Sequence, residues 1–125
     1  MDRRMAVRKQ MLEEFFKSLE GRNLLTKQQA SEIRIKPEEV CKHNNYKDAW
    51  FSFRGYVYDV TPYNDFHPGG LGCFAEFFGF DVTNAVMVHR HVNIESYIGK
   101  LVIGILDGEP LLPNSKKLQI EKGHL

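Results

Sequence analysis

The sequence has little of several features that mark common classes of protein. It contains two cysteines, Cys41 and Cys73, which do not form a CxxC pair, so neither a metal-binding nor a redox cysteine pair is expected. No apolar run approaches the roughly 18 residues of a membrane span, and the charged N-terminus lacks the apolar core of a secretory signal. We therefore expect a soluble, cytoplasmic protein with reduced thiols and no transmembrane anchor.

The chain also lacks an excess of charge of either sign. Its 17 basic and 16 acidic residues give a net charge of +1. Nucleic acid and strongly charged substrates select proteins with a large charge imbalance or a basic patch, and neither is present. The composition therefore predicts no nucleic-acid partner, and we expect a monomer.

The 125 residues, of which 42% are hydrophobic, fit one globular domain with short extensions. Residues 1–31 form an N-terminal extension in which apolar side chains recur at helical spacing over residues 5–20, followed by a polar linker over 21–31. We expect the helix to pack on the rest of the chain or on a partner helix. The domain spans residues 32–108, and residues 109–125 form a C-terminal tail. The apolar face of the helix comprises Met11, Leu12, Phe15, Phe16 and Leu19.

The first half of the domain reads as a strand, a helix and a hairpin. Ile33 and Ile35 indicate a short strand, and Pro37 suits the first position of a helix that runs to His43. The segments 50–53 and 56–60 are rich in aromatic and β-branched residues, and the two residues between them, Arg54 and Gly55, indicate a hairpin turn. Thr61 and Pro62 follow, and we expect them to stop the second strand.

The second half of the domain reads as short helices and a closing strand. Apolar residues from Leu71 to Phe78 recur at helical spacing until Gly79, which suits a helix C-terminus. Asp81 and Asn93 each suit the start of a further helix, and residues 101–106 form a β-rich strand. This order predicts an α+β fold, a small mixed sheet with two helix-loop-helix walls.

The tetrapeptide His67-Pro68-Gly69-Gly70 lies on the loop of the first wall and is the most informative motif of the chain. Pro68 restrains the backbone after the histidine, and two glycines permit a tight turn without a clashing Cβ. The motif follows a Trp50 strand and precedes Gly79-Phe80-Asp81-Val82-Thr83. This ordered set resembles the cytochrome b5 domain, over roughly residues 33–106.

The resemblance implies a cofactor, haem b, held between the two walls by one histidine on each face of the ring. His67 corresponds to the first ligand. The usual family spacing, counted from His67, gives His91 as the second. The run from Val88 to Ser96, however, is similar to the b5 domain of flavohaem reductases, in which the ligand corresponds to His89. We favour His89, with His91 near the haem edge, and keep His91 as the alternative ligand.

The resemblance also implies further haem contacts and a role. With two protein ligands on the iron, no position is left for a substrate, so we expect an electron carrier rather than an enzyme. A separate flavoprotein reductase would supply the electron and an unknown enzyme would accept it. The residues expected to line the haem are Phe66, Pro68, Gly69, Gly70, Phe74, Phe78, Val86 and His91.

Two other functions remain open at this point. One is a ligand- or partner-binding module of the same fold without a redox role, similar to the steroid-binding relatives. The other is a non-haem metal site on His89 and His91.

The acidic residues that surround the haem edge in typical members are also fewer here, since Asp65, Glu76 and Asp81 remain while Leu71 follows the glycines. We therefore expect weaker electrostatic docking on a basic partner.

Overall fold

The structure is a computed structural model, and it describes residues 3–67, 71–88 and 94–113. Short helices pack on a five-stranded sheet. The strands are β1 (Arg34–Ile35), β2 (Asn44–Asn45), β3 (Asp48–Phe53), β4 (Tyr56–Asp59) and β5 (Val102–Leu106). The α-helices are α1 (Arg3–Ser18), α2 (Lys27–Ala30), α3 (Pro37–Val40), α4 (Thr61–Phe66), α5 (Thr83–Val88) and α6 (Ile94–Ile98). The 3₁₀ helices are η1 (Gly72–Phe77) and η2 (Gly99–Leu101).

The sheet is mixed, as the sequence predicts. Its strand order is β1-β5-β4-β3-β2, with β1 parallel to β5 and the other neighbours antiparallel. The hairpin of β3 and β4 is confirmed, and its two-residue turn has φ of 52° at Arg54 and 86° at Gly55. Positive φ at both central residues is typical of tight hairpin turns, because it matches the twist of the strands.

Two pairs of short helices stand on the sheet, α4 with η1 and α5 with α6. We refer to them as the first wall and the second wall. Their apolar side chains join those of the sheet in one core cluster, which includes the fully buried Phe51 and Ile98. The α+β fold with two helical walls is therefore confirmed. Pro37 begins α3 as predicted, since its missing N–H costs nothing in a first turn.

The polar linker predicted over residues 21–31 contains a helix, so that part of the prediction is wrong. Thr26 and Gln29 form a capping box, in which the Gln29 N–H donates to Thr26 Oγ1 at 3.1 Å and the Thr26 N–H donates to Gln29 Oε1 at 2.8 Å. This reciprocal pair starts α2. Ala30 at its end is fully buried, which anchors the segment to the core.

Thr61 and Pro62 do more than stop a strand, because they begin α4. Proline is favoured in the first turn of a helix, where its ring presets φ. Thr61 Oγ1 accepts a hydrogen bond from the Ala49 N–H at 2.9 Å, and the Thr61 N–H donates to Asp59 Oδ1 at 3.1 Å. These bonds fix the start of the first wall to the hairpin.

The N-terminal helix α1 forms as predicted and packs on the rest of the chain. Phe15 is fully buried and Leu19 nearly so. At the other end of the chain, the Leu111 carbonyl accepts a hydrogen bond from the Asp81 N–H at 2.7 Å. The boundaries at residues 32 and 108 stay predictions. Over the described ranges, the structure has no helix that is both long and apolar enough for a membrane span.

Candidate functional site

His67 lies directly after α4, in the first wall between α4 and η1. Its backbone is no longer helical, with φ −131° and ψ 80°, and its N–H still donates to the Tyr63 carbonyl at 2.8 Å. The side chain is half-buried. The last turn of α4 therefore sets the direction in which the chain enters the Pro-Gly-Gly segment.

An aromatic ring of α4 packs against the His67 imidazole. The Tyr63 ring meets the imidazole nearly edge-on, with centroids 6.0 Å apart and planes at 77°. Tyr63 also contacts Tyr97 of α6, with centroids 5.7 Å apart, so it links the first wall to the second. Burial raises the pKa of Tyr63 to about 12, with a further contribution from Tyr97. The phenol therefore stays uncharged even at alkaline pH, and His67 has an uncharged aromatic neighbour.

The apolar residues predicted to line a haem lie in or against the same core cluster. Phe74 in η1 and Phe78 just after it are 1% and 3% exposed, and Val86 in α5 is 6% exposed. Phe66 is half-buried and packs against this cluster. The two walls thus contribute aromatic and aliphatic side chains to one continuous apolar region.

Several predicted site residues cannot be placed. Pro68, Gly69 and Gly70, and both candidates for the second ligand, His89 and His91, lie outside the described residues. The described chain stops at Val88 on one side of the second histidine segment and resumes at Ile94 on the other. The prediction of His89 over His91 therefore stays a prediction.

Asp81 positions the second wall rather than contributing to an exposed acidic rim. It is 6% exposed. Its Oδ1 accepts from Ser52 Oγ at 2.7 Å and from Thr83 Oγ1 at 3.1 Å, and its Oδ2 accepts from the Thr83 N–H at 3.2 Å. Asp81 thus binds the N–H of the first residue of α5 from two residues before the helix. The acidic rim is thinner still than the sequence indicates, because only Asp65 and Glu76 of the three carboxylates are exposed.

The surroundings of His67 are aromatic and apolar. No cluster of three or more His, Cys, Asp or Glu side chains that could hold a metal ion occurs within residues 3–67, 71–88 and 94–113. A bare cation in proteins takes several charged or imidazole donors. A haem needs only one imidazole from each side and apolar side chains for the rest of its surface. His67 and the apolar walls therefore fit haem.

Tyr63 and Tyr97 were missed as site residues by sequence reasoning. Tyr63 precedes His67 by one helical turn, and this spacing places two side chains on the same face of a helix. The signal was hidden because Thr61 and Pro62 were interpreted as the end of a strand. Tyr97 carries no comparable local signal, since its contact with Tyr63 is made between the two walls.

The fold and the site define a small α+β module with a half-buried histidine on a helical wall, and comparisons with known proteins identify its family. A family profile described as "Cytochrome b5-like Heme/Steroid binding domain" matches residues 36–107. Cytochrome b5 reductase 4 of Bos taurus is 40% identical over 82 residues, which cover 65% of this chain and 16% of that protein. The probable cytochrome b5 1 of Schizosaccharomyces pombe is 40% identical over 76 residues, which cover 56% of this chain and 61% of that protein.

A solved structure shares the fold. Cytochrome b558 of Ectothiorhodospira vacuolata, described as a prokaryotic homologue of cytochrome b5, superimposes with a TM-score of 0.51 at 29% identity. The superposition covers 59% of this chain and 98% of the other. The chain belongs to the cytochrome b5-like haem/steroid binding domain family. The chain spans about a sixth of the length of the bovine reductase that it matches.

Proposed function

We propose that the protein is a b-type cytochrome that carries one electron at a time and is not itself an enzyme. In this proposal His67 and His89 would hold haem b through their imidazoles, with His91 as the alternative to His89. The observation that carries the proposal is the placement of His67. It ends α4 as a half-buried imidazole beside an uncharged tyrosine and a buried apolar cluster.

When bound, haem supplies a one-electron redox couple. The chain's own residues bind and orient the ring and exclude water from it. His67 binds through an imidazole nitrogen, and the Tyr63 edge limits rotation of that imidazole. The apolar side chains of Phe74, Phe78 and Val86 replace water over the ring, because they leave no polar group to hydrate there. With a histidine on each side, the iron would have no free position, which favours electron transfer over substrate chemistry.

The partners proposed from the sequence are a separate flavoprotein reductase as donor and an unknown acceptor enzyme. The resemblance to the b5 region of cytochrome b5 reductase 4 supports a flavoprotein donor. We also propose that the protein works as a soluble monomer in the cytoplasm. The surface beside the second wall supports docking through apolar contact rather than charge, since Met87 and Val88 are 50% and 77% exposed just before His89.

An optical spectrum of the purified protein reconstituted with haem tests the proposal. The expected result is a low-spin, six-coordinate haem with sharp α and β bands after reduction. Three single variants, His67→Ala, His89→Ala and His91→Ala, assign the ligands. We expect His67→Ala and His89→Ala to lose the six-coordinate spectrum, and His91→Ala to keep it.

Other spectra would change the ligand assignment or exclude the proposed function. Loss of the spectrum in His91→Ala, with retention in His89→Ala, would assign the second ligand to His91. A wild-type protein that binds no haem, or gives a five-coordinate product after correct reconstitution, would rule out the electron carrier. The binding module without a redox role would then be the better description.

A further inference from the structure

The N-terminal helix α1 lies outside the region that the family profile matches, yet it contacts the wall that carries His67. Phe15 is fully buried. Its ring meets Tyr63 nearly edge-on, with centroids 4.9 Å apart and planes at 83°. The same ring lies 5.3 Å from Phe66, the residue just before the histidine. Two of the six residues of α4 are thus held from one side by a single phenylalanine of α1.

Tyr63 connects this contact to the histidine. The Tyr63 ring packs against Phe15 and also against the His67 imidazole, whose centroid is 6.0 Å from that of Tyr63. The backbone carbonyl of Tyr63 also accepts a hydrogen bond from the His67 N–H. A displacement of the Tyr63 ring would therefore reach both the side chain and the backbone of His67.

The same helix also contacts the end of the second wall. The Lys100 ammonium group of η2 lies 4.4 Å from the centroid of the Phe16 ring, a cation–π geometry. Phe15 and Phe16 are adjacent, with ring centroids 5.9 Å apart. Helix α1 therefore bridges the element before the first histidine and the element after the second histidine segment.

A six-residue helix such as α4 is too short to be stable by itself, so its geometry depends on what packs against it. We infer that Phe15 is a positioning residue for His67, acting through the ring of Tyr63. The inference rests on the proposed function, in which His67 is a haem ligand. Because Phe15 touches Tyr63 and not the imidazole itself, its effect is to hold the orientation of His67 and to slow haem loss.

The test compares two variants of α1 in the full chain. Phe15→Leu keeps an apolar side chain in the core but removes the ring that meets Tyr63. Leu19→Ala is the matched control, because Leu19 is 3% exposed on the same helix and belongs to the same core. Leu19→Ala removes more apolar volume than Phe15→Leu does and leaves the aromatic contacts in place.

Two measurements are made on each protein. The first is NMR of the haem-free protein, in which nuclear Overhauser effects between the ring protons of Tyr63 and His67 report their relative orientation. The second is the rate of haem transfer to an apomyoglobin acceptor. Phe15→Leu should weaken the nuclear Overhauser effects between the Tyr63 and His67 rings. It should also accelerate haem loss about three- to tenfold, in line with the loss of an aromatic pair. Leu19→Ala should preserve the ring-to-ring effects and change the rate less than about twofold.

A double-variant comparison separates positioning from general stability. If Phe15 acts through Tyr63, Tyr63→Leu should accelerate haem loss, and adding Phe15→Leu to it should produce little further change. Haem loss that simply follows the free energy of unfolding, with Leu19→Ala the faster of the two α1 variants, would overturn the inference.

The inference and the proposed function fail in different ways. Absence of a low-spin haem in the wild type rules out the proposed function, but NMR of the haem-free protein still decides whether Phe15 orients His67. Conversely, if Phe15→Leu has a low-spin haem spectrum and unchanged nuclear Overhauser effects between Tyr63 and His67, the inference is wrong while the proposed function still holds.

Discussion

The His43 imidazole stacks on the Trp50 indole, with ring centroids 3.6 Å apart and planes at 10°. Both imidazole nitrogens also face carboxylates. Nδ1 lies 2.8 Å from Asp48 Oδ1, and Nε2 lies 3.2 Å from Glu39 Oε2. Burial lowers the pKa of His43, but the hydrogen bonds to Asp48 and Glu39 outweigh it, so the pKa lies above its ordinary value. The folded protein therefore favours the imidazolium form.

This arrangement predicts a pH-dependent contribution to stability. Because the pKa of His43 is higher in the folded than in the unfolded chain, its contribution is complete below the unfolded value of about 6.5 and is lost as pH rises through the folded value. We expect His43→Gln to lower the free energy of unfolding by about 1 kcal/mol at acidic pH and by less at alkaline pH. Urea unfolding of both proteins from about pH 6 to about pH 9 measures the difference.

The control uses Trp50, the single tryptophan of the chain. In haem-free protein its fluorescence should increase as His43 loses its proton, because imidazolium quenches a stacked indole more than imidazole does. His43→Gln should remove this transition. A stability difference that is constant across the pH range would contradict the assignment.

Gly79 should tolerate no side chain. Its φ is +92°, and a Cβ built there would lie 2.7 Å from Asn44 Cβ and 3.3 Å from the Cys41 carbonyl oxygen. Gly79→Ala therefore combines backbone strain with a clash against the β2 segment, and we expect it to lower the free energy of unfolding by about 2–4 kcal/mol. Denaturant unfolding followed by circular dichroism measures the loss.

Gly55→Ala is the matched control for this prediction. Gly55 has a similar φ of +86°, but a Cβ there would have nothing within 4 Å. Its substitution adds strain alone, and we expect a loss of about 1 kcal/mol. Equal losses of unfolding free energy in the two variants would show that the contact with Asn44 adds nothing to the cost of backbone strain.

Asp81 should be the residue on which the start of α5 depends most. It is buried and accepts hydrogen bonds from Ser52 Oγ, Thr83 Oγ1 and the Thr83 N–H. Asp81→Ala leaves these donors without the carboxylate, and we expect a loss of about 2–3 kcal/mol. Amide hydrogen exchange in α5 should become faster at the same time.

The exposed Asp65 provides the comparison for Asp81. It lies on α4 and is solvent-accessible, so Asp65→Ala should change the free energy of unfolding by less than about 0.5 kcal/mol. Ser52→Ala removes one of the donors to Asp81 and should cost about 1 kcal/mol. The assignment fails if Asp81→Ala is no more destabilising than Ser52→Ala.

Tyr46 and Asn64 tie the β2–β3 turn to α4 by two hydrogen bonds. The Tyr46 hydroxyl donates to the Asn64 carbonyl at 3.0 Å, and Asn64 Nδ2 donates to the Tyr46 carbonyl at 2.9 Å. Asn64 is fully buried. We expect Tyr46→Phe to cost about 1 kcal/mol and Asn64→Ala about 2–3 kcal/mol, because the second change also opens a cavity.

A thermodynamic cycle with the double variant checks this pair. Since the two hydrogen bonds join the same pair of residues, the double variant should lose less than the sum of the single losses. Simple additivity in urea unfolding would mean that the two residues stabilise α4 independently.

The parts of the fold that the sequence predicts are those with local causes. The alternation of aromatic and β-branched residues around Arg54 and Gly55 specifies the hairpin, because the turn and the strands lie next to each other in the chain. Pro37 marks the start of α3 in the same way. Helix α2 also has a local cause, the capping box of Thr26 and Gln29, so it was predictable but was overlooked in a polar segment.

The residues of the site also separate into those with local sequence signals and those without. His67 follows from its Pro-Gly-Gly context, and the apolar residues that flank it follow from helical spacing. Tyr63 was predictable from its position one turn before His67, once Pro62 is recognised as a helix start. The contact of Phe15 with Tyr63 was not predictable, because the two residues are far apart in the chain and their meeting depends on how α1 packs.

The sequence by itself determined the α+β class, the hairpin, helices α1 and α3, and the histidine of the first wall. Each depends on backbone preferences and spacings within one short segment. Only the tertiary structure decided that Phe15 supports the His67 wall, that His43 stacks on Trp50 between two carboxylates, and that Asp81 is buried. Those features depend on which surfaces come together when the core forms, and the burial energy of many distant residues sets that outcome.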